Sequence, residues 1–305
     1  MRILVTGVSG YVGAALVPRL REGGHELRGL ARHPARVDRA LGLPVFTGDV
    51  VSGVGLARAL DGIEVAYYLV HSMEPDAKGS FADRERRAAE SFTQAAQQAG
   101  VARIVYLGGP VPATGPVSAH LASRVAVEQV LLEATPASVA LRASIVIGAR
   151  SRSFRFMVRL VERLPVLPLP AWRIHRSAPI DERDMLAYLV AAADSPDAAG
   201  RSLDIAGPET LSYGELIERI AELMLVGRPP VRLGISLTPV ASRVAAAIAG
   251  EDPSLIGPLM QSLEHDLLPR DDSAHRLLGV RRHTLDAAIE RSLREWERAE
   301  PLAAR

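Results

Sequence analysis

The first half of the chain alternates short apolar runs with longer segments in which apolar residues recur every three or four positions. The short runs predict six strands, and the longer segments predict the helices between them. The strands are predicted at Arg2–Thr6, Glu26–Leu30, Val45–Thr47, Val65–Val70, Arg103–Leu107 and Ser138–Leu141, and helices at Tyr11–Arg21, Ser80–Ala99 and Ser118–Leu132. Because such alternation is typical of a parallel sheet with helices on both faces, the sequence predicts a doubly wound α/β fold of the Rossmann type.

The pattern changes after Gly148, where helical periodicity predominates and prolines interrupt regular structure. Asp181 is a predicted N-cap, and Ser212 with Glu215 forms a predicted capping box. The elements predicted in this half are helices at Ser153–Arg163, Asp181–Ala193 and Ser212–Met224 and a strand at Arg201–Ile205.

A glycine-rich turn joins the first predicted strand to the first predicted helix. Gly7 permits a tight turn, Gly10 lets the backbone approach a pyrophosphate, and Gly13 allows close packing of helix on strand. The helix N-terminus supplies N–H groups and the positive end of the helix dipole. The predicted dinucleotide-binding residues of this turn are Gly7, Ser9, Gly10, Tyr11, Val12 and Gly13.

These patterns divide the chain into two parts. Residues 1–148 are expected to form an NAD(P)-binding Rossmann domain. Residues 149–305 are expected to form a smaller, mostly helical C-terminal region over the substrate, with 179–206 returning to the core sheet.

Composition removes several classes of function. The 305 residues contain no cysteine, which excludes disulfides, thiolate metal sites and cysteine nucleophiles. The 36 basic residues nearly balance the 35 acidic ones, so nothing indicates a nucleic-acid partner. The histidine spacing predicts no metal site. No apolar run approaches a membrane-spanning length, and a cytoplasmic location is expected.

The GxxGxxG spacing, with Thr6 before it, resembles the extended and atypical branches of the short-chain dehydrogenase/reductase (SDR) superfamily. Further segments over residues 1–225 resemble its NmrA-like, NAD(P)H-binding members. Those segments are Tyr68–Met73, Arg103–Gly109, His120–Arg124, Leu141–Ala143, Pro179–Ile180 with Asp184, and Gly207–Glu209. The resemblance implies a Rossmann fold that binds NAD(P)H, in a group that contains both reductases and redox sensors.

Arg32 stands where an NAD-preferring protein carries an acidic residue for the ribose 2′-hydroxyl. No carboxylate follows until Asp38. A guanidinium is always charged and can bind a 2′-phosphate through two hydrogen bonds. The resemblance also places the adenosine-phosphate arginine at this position, so NADP(H) is predicted to be preferred over NAD(H).

The resemblance implies further cofactor contacts after the third and fourth strands. Asp49 would contact the adenine amino group and Val50 would pack on the ring; the alternative for Asp49 is a turn residue that binds local backbone. Leu69, His71 and Ser72 would pass beside the nicotinamide ribose, because ligands of open α/β sheets lie at the carboxyl ends of strands. For His71 a core or rim position is the alternative.

The usual catalytic pair of the superfamily, a tyrosine followed four residues later by a lysine, is absent. Lys78 is the only lysine and follows no tyrosine at that spacing. In the register that the resemblance suggests, His120 and Arg124 hold the two positions on one helix face. One interpretation is a reductase in which His120 protonates the substrate and Arg124 orients substrate or cofactor. The other is a protein that binds NADP(H) without turnover and reports redox state to a partner.

The resemblance points to the segment after the sixth strand for a substrate pocket. Aromatic residues are concentrated there, and they could line an apolar cleft over the nicotinamide. The predicted substrate is accordingly a small apolar carbonyl, enone or quinone, although core packing is the alternative for each side chain. A homodimer and a regulatory protein partner are both compatible with the sequence. The candidate pocket residues are Met73, Phe154, Met157 and Trp172.

Overall fold

The computed structural model describes residues 1–70, 81–112, 119–233 and 263–301, without the side chains of 119 and 120. The strands are Arg2–Thr6 (β1), Glu26–Ala31 (β2), Val45–Thr47 (β3), Val65–Tyr68 (β4), Arg103–Gly108 (β5), Val139–Ala143 (β6), Val146–Ile147 (β7), Leu167–Leu169 (β8), Arg176–Ser177 (β9), Ile180–Asp181 (β10), Ser202–Ile205 (β11), Leu211–Ser212 (β12) and Pro230–Arg232 (β13). The α-helices are Tyr11–Glu22 (α1), Leu56–Leu60 (α2), Phe81–Gln98 (α3), Ala119–Leu132 (α4), Arg152–Arg163 (α5), Glu182–Ala191 (α6), Tyr213–Leu223 (α7), Ala274–Leu277 (α8) and Leu285–Ala299 (α9).

The central sheet has seven parallel strands in the order β11-β6-β5-β4-β1-β2-β3. The chain builds outward from β1 through β2 to β3 and then returns to the other side of β1 with β4. Thr6 is level with Leu30, and Val5 with Tyr67, so the carboxyl ends of β1, β2 and β4 meet at one edge. This arrangement confirms the predicted doubly wound fold and places a crevice where the strand order reverses.

Apolar layers cover both faces of the sheet. Helices α1 and α6 contribute to one layer, and α2, α3 and α4 contribute to the other. A third core fills the C-terminal part, where residues of α5, α7 and α9 pack together. The sheet is therefore enclosed, and its carboxyl edge is the side on which crevices open.

Two helix starts follow the predicted capping chemistry. The Asp181 side chain accepts a hydrogen bond from the Arg183 N–H at the start of α6. Ser212 and Glu215 form the reciprocal capping box of α7. These caps satisfy N–H groups that the first helical turn leaves without a partner.

The structure differs from the sequence prediction at the end of β4, which stops at Tyr68 rather than Val70. The N–H of Leu69 donates to the hydroxyl of Thr6 at 3.0 Å, so a side chain takes the place of the next strand partner. The unpredicted helix α2 has only five residues, too few to show a helical period.

A buried ionic cluster joins the edge strand β11 to β6 and α4. Arg142 donates hydrogen bonds of 2.8 and 2.6 Å to Glu128 and lies 3.8 Å from Asp204. Ser202 also contacts Glu128, and Arg270 donates to Asp204 at 2.9 Å. The side chains of Arg142, Glu128 and Asp204 are all buried. A buried charge that loses its partner is costly, so each member of the cluster holds the others in place.

Replacing Arg142 by methionine should therefore destabilise the fold. Arg142→Met leaves Glu128 without its guanidinium partner inside the protein, at a cost of about 3–5 kcal/mol in the free energy of unfolding. Urea denaturation measures this value. Arg201→Gln, at an exposed position directly before β11, is the matched control and should change stability by about 0.5 kcal/mol or less. Equal stabilities for the two variants would contradict the structural role of the cluster.

Candidate functional site

The glycine-rich loop lies between the end of β1 and the start of α1. Gly7 has a φ of +65°, and an added Cβ would lie 2.6 Å from the carbonyl oxygen of Leu69. A side chain at Gly13 would overlap the carbonyl oxygen of Gly7. Both glycines therefore allow the loop, the helix and the end of β4 to approach at backbone distance.

Gly10 differs from the other two because its open side faces the crevice. It is the N-cap of α1 with φ −86° and ψ 170°, it has no side chain to cap the helix, and the first turn carries no acidic residue. Among the described residues outside its own helix and its chain neighbours, only the Gly7 oxygen, at 3.1 Å, would lie within 4 Å of an added Cβ. This arrangement fits a phosphate-binding loop, since the N–H groups of the first turn and the helix dipole point toward the crevice.

The Thr6 side chain joins the loop to the end of β4. Its hydroxyl donates to the carbonyl oxygen of Tyr67 at 2.9 Å and accepts from the N–H of Leu69 at 3.0 Å. The side chain is fully buried. These two hydrogen bonds hold the end of β4 against the loop and position Leu69, which lines the crevice.

A cavity of about 210 Å³ lies beside the loop, over the ends of β2 and β3. Arg32, Asp49 and Val50 line it together with Gly7, Ser9, Gly10 and Leu69. Arg32 is exposed and directly follows β2, and Asp49 is the only acidic residue among the described residues of the lining. The predicted cofactor residues are thus brought together here, and the carboxylate typical of an NAD site is absent from the end of β2.

Asp49 has local hydrogen bonds of its own. Its carboxylate accepts from the N–H of Val51 at 3.1 Å and from the hydroxyl of Ser52 at 3.3 Å. Val50 is buried in the layer under the cavity. The turn role considered for Asp49 is therefore present, and it holds the carboxylate at the cavity wall.

A larger cleft of about 750 Å³ continues from the same loop across the ends of β4, β5 and β6. Tyr11, Val12 and Gly13 line its near side, and Ala143, Ser144 and Val146 line its floor. The far wall is the beginning of α5, with residues 150–153 and 155. The two cavities share residues of the loop and Leu69, so one elongated molecule can occupy both.

Arg124 reaches this cleft from α4. The phenol of Tyr106 lies under it, and burial raises the pKa of Tyr106 to about 12, while the hydrogen bond and charge of Arg124 act in the opposite direction. The hydrogen bond to Tyr106 therefore positions the Arg124 guanidinium at the cleft. His120 precedes Arg124 by one turn in the same helix, and its side chain lies outside the described part of the structure.

Tyr11 connects the loop to the C-terminal part. Burial, and then the neighbouring carboxylate of Glu182, raise the pKa of Tyr11. Burial likewise raises the pKa of Glu182, although Arg291 of α9 lies 3.4 Å away and opposes the shift. The phenol therefore stays protonated at neutral pH. Tyr11, Glu182 and Arg291 together connect the starts of α1 and α6 to α9.

The structure does not bring the described residues of the predicted apolar lining to this cleft. Phe154, Met157 and Trp172 are buried in the core of the C-terminal part, and none of them lines the cleft among the described residues. The cause is that α5 is amphipathic and turns its aromatic face toward α7 and α9. On the opposite face, Arg152 and Arg155 at the beginning of the helix border the cleft. The predicted His71, Ser72 and Met73 lie outside the described residues.

Sequence reasoning missed Ser144, Arg150 and Arg152. The position of the arginines could have been predicted from the helical period. Phe154, Val158 and Val161 repeat at helical spacing, which leaves Arg152 and Arg155 on the other face. Ser144, in the short link between β6 and β7, contacts the hydroxyl of Ser177 and had no recognisable pattern.

Comparison with known proteins agrees with this site. Residues 7–145 match the family described as NAD(P)H-binding. The match covers slightly less than half of the chain, and it shows an NAD(P)H-binding region on a Rossmann-type sheet. This agrees with the predicted atypical SDR type, and the assignment to the NmrA-like branch stays a prediction.

Reductases, dehydrogenases and epimerases are among the similar proteins. A 3-beta-hydroxysteroid dehydrogenase of Mycolicibacterium neoaurum is 34% identical over 113 residues, which are 34% of this chain and 31% of that protein. The alignment thus spans about a third of that relative. A ceramide reductase of Caulobacter vibrioides is 26% identical over 73% of this chain and 70% of its own length. The structure of a nucleoside-diphosphate-sugar epimerase from Staphylococcus aureus, 16% identical, superimposes with a TM-score of 0.77 over 95% of this chain and all of that one, which shows the shared fold.

Two features are absent from the described residues, a membrane-spanning helix and a cluster of metal ligands. No helix among them has the length and apolar character needed to cross a bilayer. No group of three or more His, Asp or Glu side chains in the same ranges could hold a metal ion.

Two glycine variants should separate the roles of the loop. Gly10→Ala keeps an ordinary backbone conformation, so stability should stay near wild type, while the methyl group blocks phosphate approach and weakens NADPH binding about tenfold or more. Gly13→Ala should destabilise the protein by about 1–3 kcal/mol because α1 must move away from Gly7.

Urea denaturation and titration of NADPH fluorescence measure the two effects. A Gly10→Ala protein that binds NADPH like wild type would show that the phosphate does not approach this glycine.

Proposed function

We propose that this protein is an NADP(H)-dependent oxidoreductase that reduces a small carbonyl, enone or quinone without a tyrosine–lysine pair. The observation that carries the proposal is the cleft, which starts at the cofactor loop and extends past it to α5. Its volume of about 750 Å³ falls within the usual range for small-molecule sites. The nicotinamide half of the cofactor would occupy the part of this cleft next to the loop, and a reductase must also place a second molecule beside it, on the side of α5.

The names of similar proteins support hydride chemistry without defining the substrate. A ceramide reductase and a hydroxysteroid dehydrogenase are among them. The reduced nicotinamide, when bound, supplies the hydride. The protein's own groups then have to hold the phosphates, orient the acceptor and deliver one proton to its oxygen.

The proposed roles follow the layout of the two cavities. The loop N–H groups hold the pyrophosphate, and Arg32 binds the 2′-phosphate at the end of β2. Asp49 and Val50 bound the adenine side. On α4, Arg124 orients the acceptor in the cleft and His120 donates the proton, since a histidine can carry and release a proton near neutral pH.

The preference for NADP(H) is tested at Arg32. Wild type should bind NADPH about tenfold or more tightly than NADH, because a charge-assisted contact to the 2′-phosphate contributes about 1.5–3 kcal/mol. Arg32→Glu should abolish or reverse this preference, as measured by fluorescence titration of both cofactors. Arg39→Glu, which changes an exposed arginine outside the cavity lining, should retain it. Equal affinities of wild type for both cofactors would refute the preference.

Turnover is tested at His120 with NADPH and 1,2-naphthoquinone. His120→Ala should lower kcat about 100-fold or more and leave NADPH affinity nearly unchanged, because a positioned acid contributes to the reaction and not to cofactor binding. Gln129→Ala, on an exposed position of the same helix, should keep full activity. Retained activity in His120→Ala would remove His120 from catalysis. A protein that binds NADPH tightly but oxidises it with no quinone or enone would favour the redox-sensing alternative.

A further inference from the structure

The charged residues that line the large cleft are all arginines. Arg124, Arg150, Arg152 and Arg155 contribute to its wall, and none of the described lining residues is an aspartate or a glutamate. The whole chain is nearly neutral, with 36 basic and 35 acidic residues. The positive charge is therefore a local property of the cleft rather than a reflection of composition.

Two of the four arginines are committed to contacts inside the protein. Arg155 lies 2.5 Å from Glu300 and 4.5 Å above the ring of Trp296. Arg124 is held by Tyr106. Glu182, which neighbours the cleft residue Tyr11, is also paired, since Arg291 lies 3.4 Å from its carboxylate.

Arg150 and Arg152 have no such commitment. Both are exposed, and no hydrogen bond or ion pair joins either of them to another described residue. They flank Ser151, whose hydroxyl caps α5 by accepting from the N–H of Phe154. The first turn of α5 carries no acidic residue, so its N–H groups add to the positive potential at the same place.

This pair of arginines lies away from the adenosine side of the site. Neither Arg150 nor Arg152 lines the smaller cavity that holds Arg32 and Asp49. They follow β7 and border the part of the cleft beyond the loop. In the proposed function, this is the part that remains for the acceptor.

We propose that the acceptor carries an anionic group, a phosphoryl or a carboxylate, and that Arg150 and Arg152 bind it. The inference rests on the proposed function and names the substrate class of the same cleft. It also replaces the expectation of an apolar substrate, since the aromatic side chains behind that expectation lie in the core. A guanidinium with free N–H groups is well suited to both anions, and the N-terminus of α5 favours the same charge.

The first test uses inorganic pyrophosphate as the probe and protein saturated with NADP⁺, so that the cofactor's own phosphate subsite is filled. Isothermal titration at low salt should detect pyrophosphate binding to wild type, and binding should weaken as salt is raised. Arg150→Gln and Arg152→Gln should each lower the affinity about tenfold or more. Arg201→Gln, at the amino ends of the strands, should leave it unchanged.

The outcomes of this titration distinguish an anion site for the acceptor from the phosphate site of the cofactor. Unchanged pyrophosphate affinity in both glutamine variants, or no binding to wild type, would overturn the inference. A parallel loss of NADP⁺ affinity would also overturn it, because the arginines would then hold the cofactor. Failure of NADPH to bind at all would instead count against the proposed function.

A second measurement compares 1,2-naphthoquinone-4-sulfonate with 1,2-naphthoquinone as acceptors. The double variant Arg150→Gln/Arg152→Gln should raise KM for the sulfonate at least tenfold and change KM for the neutral quinone less than about twofold. An equal change for both acceptors would show that the arginines do not recognise the anion. Absence of turnover with both, in wild type, would count against the oxidoreductase and not against anion recognition.

Discussion

The close approach of α1 to the ends of β1 and β4 is the constraint on which the rest of the site depends. Side chains at Gly7 or Gly13 would meet backbone atoms of Leu69 or of Gly7 itself, and Thr6 ties the same strands together with two buried hydrogen bonds. The loop, the helix start and the central strands consequently behave as one packed unit. Both cavities open from this unit, so their position relative to each other is set by the backbone itself.

Much of the fold could be predicted from the sequence because apolar residues in the first half repeat with clear strand and helix periods. Strands of three to six residues between amphipathic helices leave few topologies, and a glycine every third residue after β1 identifies the loop. Periodicity did not reveal the end of β4, which depends on a hydrogen bond from the backbone N–H of Leu69 to the hydroxyl of Thr6. It also did not reveal which face of α5 meets the cleft. The aromatic and basic faces are equally visible in the sequence, and packing against α7 and α9 decides between them.

The charged side chains differ in their surroundings, because some form pairs inside the protein and others stay exposed at the cleft. Arg142, Glu128 and Asp204 pair inside the protein, as do Glu182 and Arg291, and these groups fasten the C-terminal part to the sheet. The arginines at the start of α5 remain exposed instead. A formal net charge of +1 thus conceals a strongly positive cleft. Such a field concentrates counter-ions and steers ligands of opposite sign even where overall attraction is negligible.

The order of strands has a consequence for cutting the chain. β6 is buried along its whole length, with β5 on one side and β11, from the far half of the sequence, on the other. A fragment that ended near residue 148 would contain every residue of the cofactor loop, yet it would leave β6 as an open edge with unpaired N–H and C=O groups. Open apolar edges recruit strands from other chains, so the fragment would aggregate rather than fold as a small binding module. A chimaera or truncation that keeps the N-terminal half therefore also has to include β11, which completes the sheet.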